Sequence, residues 1–283
     1  MTGSALAGFV FLAAFALAAE DPSHFATLDG IKVHYESYGS GTEAVVFIHG
    51  WSCDLTFWRG QEPVYTAHRS LLIDLPGHGQ SSKPRVPYPT EFFARAVESV
   101  LRDAGVERAV LVGHSLGGGV AYTFVRLFPQ ESKAIVFVDS YATRPIYVQP
   151  SAQLLARYKQ RARHLSGPTG EKNFLKQVDA MFSDRTAPSV RNEIRAKMLA
   201  TPEYVRVAAV TSPSRLAPAD ANESFESPAL AVSATMAPAR VGLMRSIFPN
   251  LEIEKWEKYG HFLMMEDPDR FNRTLESFLA AHP

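Results

Sequence analysis

Short apolar runs of strand length recur along the chain, separated by stretches in which apolar residues return every three or four positions. Residues 31–36 (IKVHYE) alternate in character, which predicts a strand buried on one face. The runs at 44–48 (AVVFI), 71–73 (LLI), 109–112 (AVLV), 134–138 (AIVFV) and 228–232 (PALAV) are continuously apolar. Such runs suit strands covered on both faces, as in parallel sheets. A last strand is expected at 251–256. The stretch 90–104 sets Phe93, Val97, Val100 and Leu101 at helical spacing, and Gly105 ends it. Residues 118–128 form a second expected helix, halted by Pro129, and 268–281 a terminal one that buries Phe271, Leu275, Phe278 and Leu279. Strands alternating with helices predict an α/β fold on a doubly wound, mostly parallel sheet. From 141 to 222 the rhythm changes to charged, helix-like stretches at 154–165, 171–182 and 190–199. This predicts a helical cap at 141–222, inserted into a core made of 20–140 and 223–283.

The N-terminus follows another pattern. Residues 5–19 are almost wholly apolar or small, too short for a spanning helix, which needs about 20 residues. They end in Ala16-Leu17-Ala18, a small-x-small pattern followed by polar Glu20-Asp21. The expectation is a signal peptide over 1–19, cut after Ala18 or Ala19, and export of the remainder with no stable membrane association afterwards. An uncleaved anchor or a misassigned start are the alternatives, since residues 2–4 carry no Lys or Arg.

Composition narrows the classes further. In 283 residues, 46% are hydrophobic and 20% charged, which argues against a disordered chain. Lys+Arg and Asp+Glu both number 29, so a net charge of zero gives no electrostatic reason to expect nucleic acid. A single cysteine, Cys53, excludes an intramolecular disulfide and Cys-rich metal sites.

The residues that carry chemistry sit at predicted strand ends. Gly113-His114-Ser115-Leu116-Gly117 fits G-x-S-x-G, after a strand and before a helix, the context this motif needs. A sharp strand–turn–helix there exposes the Ser115 hydroxyl at the C-terminal edge of the sheet, where open α/β sheets bind ligands. A serine hydroxyl needs a base, and His261, in Tyr259-Gly260-His261 past the last strand, is the candidate. His49 and His78 lie in tight glycine turns, where a structural role fits better. Cys53 is more simply a small core residue than a reactive thiol. No phosphate-binding loop, strand-linked G-x-G-x-x-G or H-E-x-x-H occurs in the sequence, so no cofactor or metal is expected.

His49-Gly50-Trp51, Asp74-Leu75-Pro76-Gly77-His78-Gly79-Gln80-Ser81, Gly113-His114-Ser115-Leu116-Gly117-Gly118 and Gly260-His261 together resemble the α/β-hydrolase fold superfamily, in its branch with a helical cap. The resemblance implies an oxyanion hole from the backbone N–H groups of Leu116 and Trp51. Relatives usually carry an acid after the seventh strand, but here that loop, 233–240 (SATMAPAR), has no carboxylate. Other members place the acid after the sixth strand, which here is Asp139. Asp220, Glu223 or no working acid remain as alternatives. Relatives with Asp as nucleophile open epoxides or remove halide, and Ser115 sets those chemistries aside.

The expected activity is hydrolysis of a carboxylic ester or lactone, a small-molecule substrate, through Ser115, His261 and Asp139. Haloperoxidase, perhydrolase or carbon–carbon bond hydrolase activity on the same residues is the alternative within enzymes. A ligand-binding protein with weak or no turnover is the alternative outside them. The cap is expected to shape an apolar pocket, with Tyr147, Leu154, Tyr158, Phe174, Met181 and Phe182 as candidate lining. Oligomeric state is not legible.

Overall fold

The computed structural model describes residues 21–142, 151–214, 216 and 222–283. The expected signal segment, Tyr147 and Asp220 lie outside the described residues. Two antiparallel strands, β1 (Ser23–Leu28) and β2 (Ile31–Tyr38), begin the fold, followed by β3 (Glu43–Ile48). A 3-10 turn (Leu55–Gln61) and the short α1 (Glu62–Tyr65) lead to β4 (Ser70–Ile73) and α2 (Thr90–Asp103). Then come β5 (Arg108–His114), α3 (Leu116–Leu127) and β6 (Ser132–Val138). Four helices, α4 (Ala152–Leu165), α5 (Gly170–Asp179), α6 (Pro188–Ala200) and α7 (Glu203–Thr211), intervene before β7 (Ala229–Ser233). The chain closes with α8 (Pro238–Ile247), β8 (Leu251–Lys255), α9 (Leu263–Glu266) and α10 (Pro268–Ala281). Among the described residues no helix is long and apolar enough to cross a membrane.

The apolar runs become one eight-stranded sheet in the order β1-β2-β4-β3-β5-β6-β7-β8. Pairing is parallel from β4 through β8 and antiparallel for β1–β2 and β2–β4. The central strands are buried almost throughout, because helices cover both faces. The edge strands β1 and β8 keep polar, partly exposed residues. Register brings the strand ends level: Ile48 pairs with Gly113, His114 with Val138, and Val138 with Val232. The ladder runs one residue past these ends, with Ser115 N–H donating to the Val138 carbonyl at 3.0 Å and Asp139 N–H to the Val232 carbonyl at 2.8 Å. Ser115 and Asp139 therefore leave the sheet side by side at one edge.

Helix α3 lies very close to that edge, and glycine permits it. A Cβ on Gly117 would stand 2.2 Å from the Ile48 carbonyl oxygen, and one on Gly113 2.4 Å from the Gly117 carbonyl oxygen. Both obstacles are backbone, so neither can turn aside.

Several elements depart from the expectation. β1 has only two buried residues and is held by its pairing with β2, so its sequence carries little strand signal. α8 begins inside the stretch read as a loop after β7, with Pro238 in its first turn and only Met244 and Ile247 buried. α5 stops at Asp179 rather than continuing to Phe182, and the freed Met181 carbonyl accepts from the His261 N–H at 2.8 Å.

Candidate active site

Ser115 sits between β5 and α3 with φ 52° and ψ −114°, a strained conformation for a residue with a side chain. Its carbonyl is pinned by the Ser140 hydroxyl at 2.6 Å and by the Gly118 N–H at 3.1 Å. Among the described residues, five non-glycines have positive φ: Ser52, Ser115, Asp139, Lys258 and the turn residue Asp29. The first three follow β3, β5 and β6, and Lys258 precedes His261, so backbone strain gathers around this edge.

Asp139 and His261 meet there. His261 Nδ1 lies 2.5 Å from Asp139 Oδ2. The other carboxylate oxygen accepts from the Ser233 hydroxyl at 2.9 Å and the Ala234 N–H at 3.1 Å. The loop after β7, which has no acid of its own, thus holds the acid from β6. Burial pushes the Asp139 carboxyl up, but His261, Ser233 and Ala234 outweigh it and hold it below its ordinary value. With Nδ1 donating to the carboxylate, Nε2 is the basic atom of His261. Glu223, an alternative acid, instead pairs with Arg126 at 2.7 Å.

His114 is a neighbour whose side-chain role was not legible beforehand. Its Nε2–H donates to the His261 carbonyl at 2.8 Å, and the two rings lie 4.7 Å apart. Burial first, then the adjacent His261, holds His114 down to about 3, so it stays neutral beside the His261 ring. His49 and His78 are buried turn residues, as expected. His49 Nδ1–H donates to the Gly50 carbonyl at 2.8 Å, and its Nε2 accepts the Leu75 N–H at 3.0 Å. Cys53 is buried, its thiol pushed up by burial and by Asp54, which suits the core reading.

The cap is fastened to both sides of this edge. On one side the Trp51 indole N–H donates to the Arg206 carbonyl at 2.7 Å, and its ring meets Phe174 edge-on at 5.2 Å. On the other side Glu266 accepts from the Gly260 N–H and the Ser183 hydroxyl, each at 2.9 Å, and from the Thr186 hydroxyl. One carboxylate therefore binds the loop of His261 to the segment between α5 and α6. Nothing in the spacing of Glu266 marked it, because its partners come from the cap.

Between sheet edge and cap lies a cavity of about 470 Å³, within the range of small-molecule sites. Trp51, Ser115, Leu116, Asp139 and His261 all line it. Of the candidate cap residues that are described only Met181 does so, joined by Arg161, Gln177 and Val210. Phe174 packs on Trp51 and Phe182 on Phe262 instead. The lining is mostly apolar, with Arg161 of α4 and Gln177 of α5 adding polar groups to it. Among the described residues no cluster of three or more His, Cys, Asp or Glu side chains converges as a metal site would require.

The chain is similar to several known proteins. A component of the acetoin cleaving system of Cupriavidus necator, a dihydrolipoyllysine-residue acetyltransferase, is 42% identical over 41% of this chain, and the match spans only 31% of that protein. A 2-hydroxy-6-oxononadienedioate/2-hydroxy-6-oxononatrienedioate hydrolase of Paraburkholderia phymatum is 28% identical, covering 88% of this chain and 91% of its own. The solved structure of Est816, described as an N-acyl homoserine lactone degrading enzyme, superposes with a TM-score of 0.75 at 27% identity, over 90% of this chain and 100% of its own. The model of the Alpha/beta hydrolase family matches residues 45–274, from β3 to α10. The chain belongs to the alpha/beta hydrolase family and is a hydrolase enzyme.

Proposed function

We propose that this chain hydrolyses carboxylic esters or lactones through a covalent acyl-enzyme. The observation that carries the reading is the 2.5 Å contact of His261 with Asp139 beside Ser115 in its strained turn, all three lining one cavity. Ser115 Oγ attacks the carbonyl carbon while His261 Nε2 takes its proton. Asp139 fixes the imidazole tautomer and stabilises its positive charge. The N–H groups of Leu116 and Trp51 receive the charge that develops on the carbonyl oxygen, where losing one donor costs on the order of 3 kcal/mol. His261 then protonates the leaving alcohol, and water, deprotonated by the same Nε2, releases the acid and restores Ser115. The lactone-degrading activity given for Est816 supports this substrate class. Carbon–carbon bond hydrolysis on the same residues is the second reading, favoured by the full-length likeness to the oxononadienedioate hydrolase.

Labelling with a fluorophosphonate, read by intact mass and peptide mapping, tests the reading. Rapid stoichiometric modification at Ser115 is expected. A folded protein that takes no label overturns it in favour of the binding-protein alternative. We further propose export after removal of the N-terminal segment, and the intact mass from exported protein tests this directly.

Glu266 is proposed as a positioning residue within this mechanism. Glu266→Gln replaces a double acceptor by a group with one acceptor facing three donors. Loosening the His261 loop is expected to lower kcat about tenfold. The melting temperature should shift by no more than about 3 °C. Steady-state turnover of a 4-nitrophenyl ester and a thermal melt together check it, and unchanged kcat would remove Glu266 from the account.

A further inference from the structure

We infer that Arg161 is an anion-recognition residue, and that the favoured substrates carry a carboxylate at the end remote from the bond that is cleaved. This rests on the serine-hydrolase reading for where the reacting carbonyl lies.

The first observation is where the arginine stands on its helix. On α4, Leu154, Tyr158, Arg161 and Leu165 fall at i, i+4, i+7 and i+11, one face of the helix. Leu154 and Tyr158 are partly buried and Leu165 fully so. The third position is exposed, and the chain has a guanidinium there. That side chain lines the same cavity as Ser115 and sits over the Trp51 ring, 5.7 Å from its centroid. The Trp51 indole is itself fixed by its bond to the Arg206 carbonyl and by Phe174. The cation therefore rests against a rigid platform rather than swinging on a free stem.

The second observation is that none of the described residues neutralises it. Arg161 makes no hydrogen bond or ion pair with any described residue, and Tyr158 is the only ionisable group acting on its charge. Arg206, the other cap arginine near Trp51, behaves differently: it is buried and donates to the Leu199 carbonyl at 2.9 Å. The remaining charged group in the cavity, Asp139, is already engaged by His261, Ser233 and Ala234. Gln177 of α5 lines the same wall and adds an amide donor. An incoming carboxylate thus finds a planar two-pronged donor that no described residue occupies, in the same cavity as the nucleophile. A fully uncharged acyl chain would leave that donor unused.

The test uses the 4-nitrophenyl ester of glutaric acid, which ends in a carboxylate, against the same ester with that carboxylate capped as a methyl ester. The wild-type chain is expected to favour the charged ester by about tenfold in kcat/KM, and raised salt should shrink the preference. In Arg161→Gln the ratio should fall to near one, with the change in KM for the charged ester, and Arg161→Lys should restore part of it. A wild-type ratio at or below one, or an unchanged ratio in Arg161→Gln, overturns the inference. Binding separates this from failure of the hydrolase reading. Calorimetry on Ser115→Ala should show monomethyl glutarate binding about tenfold tighter than dimethyl glutarate, and equal affinities would overturn the inference whatever the turnover. No hydrolysis of either ester, with that binding preference intact and lost in Arg161→Gln, would reject ester cleavage and retain anion recognition.

Discussion

Asp139→Asn is expected to lower kcat for ester hydrolysis by about four orders of magnitude, with KM changed by no more than a few-fold. The substitution keeps the shape of the side chain, and asparagine tolerates the positive φ of 42° that this position requires. Its amide oxygen can still accept from the Ser233 hydroxyl and the Ala234 N–H. What it cannot do is accept the His261 Nδ1–H, because an NH₂ group then occupies that place. His261 must present Nδ1 as acceptor and carry its proton on Nε2, where it cannot take the serine proton. Two readouts check this: kcat on a 4-nitrophenyl ester, and the rate of fluorophosphonate labelling of Ser115, which should fall in parallel. Near-UV circular dichroism identifies a folded variant. A loss smaller than tenfold would take the role away from Asp139 and return it to the alternatives raised by the sequence.

The second large effect is on stability against acid. His78 and His114 are fully buried, and burial is the first cause holding each down to about 3 from an ordinary 6.5. His78 Nε2 and His114 Nδ1 have no hydrogen-bond partner among the described residues, so a proton added there would be an unpaired buried charge. Between pH 6.5 and about 3 the unfolded chain binds these protons and the folded chain does not. Stability is therefore complete above 6.5 and is lost as pH falls through that window, at up to about 1.4 kcal/mol per pH unit for each histidine. His49 is shifted the same way, again chiefly by burial. From pH 7 to pH 5 the loss amounts to about 4 kcal/mol, a large part of a typical domain's stability. The urea midpoint should drop by roughly 1 M or more, and histidine NMR signals should report two imidazoles that stay neutral in the folded state. A midpoint unchanged between pH 7 and pH 5 would contradict this account.

Both predictions draw on features of unequal legibility. The strands from β2 to β8 and the helices α2, α3 and α10 follow from apolar runs and helical spacing, since each buries its own apolar residues against the sheet. β1, α7 and α8 carried little such signal: β1 is held by its neighbour strand, and α8 buries only Met244 and Ile247. Ser115 and His261 were legible because a strained turn and a strand-end histidine leave local marks of glycine and spacing. Asp139 was one candidate among several, because whether an aspartate closing β6 reaches the histidine depends on how the loops after β7 and β8 fold over it. Which cap residues line the cavity was illegible for a similar reason: Gln177 does and Phe174 does not, as the rotation of α5 about its axis is set by packing between helices.

The sequence by itself determined the α/β class, a helical stretch between β6 and β7, and the turn that carries Ser115. These depend on periodicity and backbone sterics, which act over a few residues. Tertiary structure alone decided the partners of Asp139, the neutral His114 under the His261 loop, the Glu266 clasp and the placement of Arg161 over Trp51. Each is a contact between elements far apart in the chain, and a hydrogen bond or a desolvated charge depends on angstrom-scale placement that no local pattern encodes.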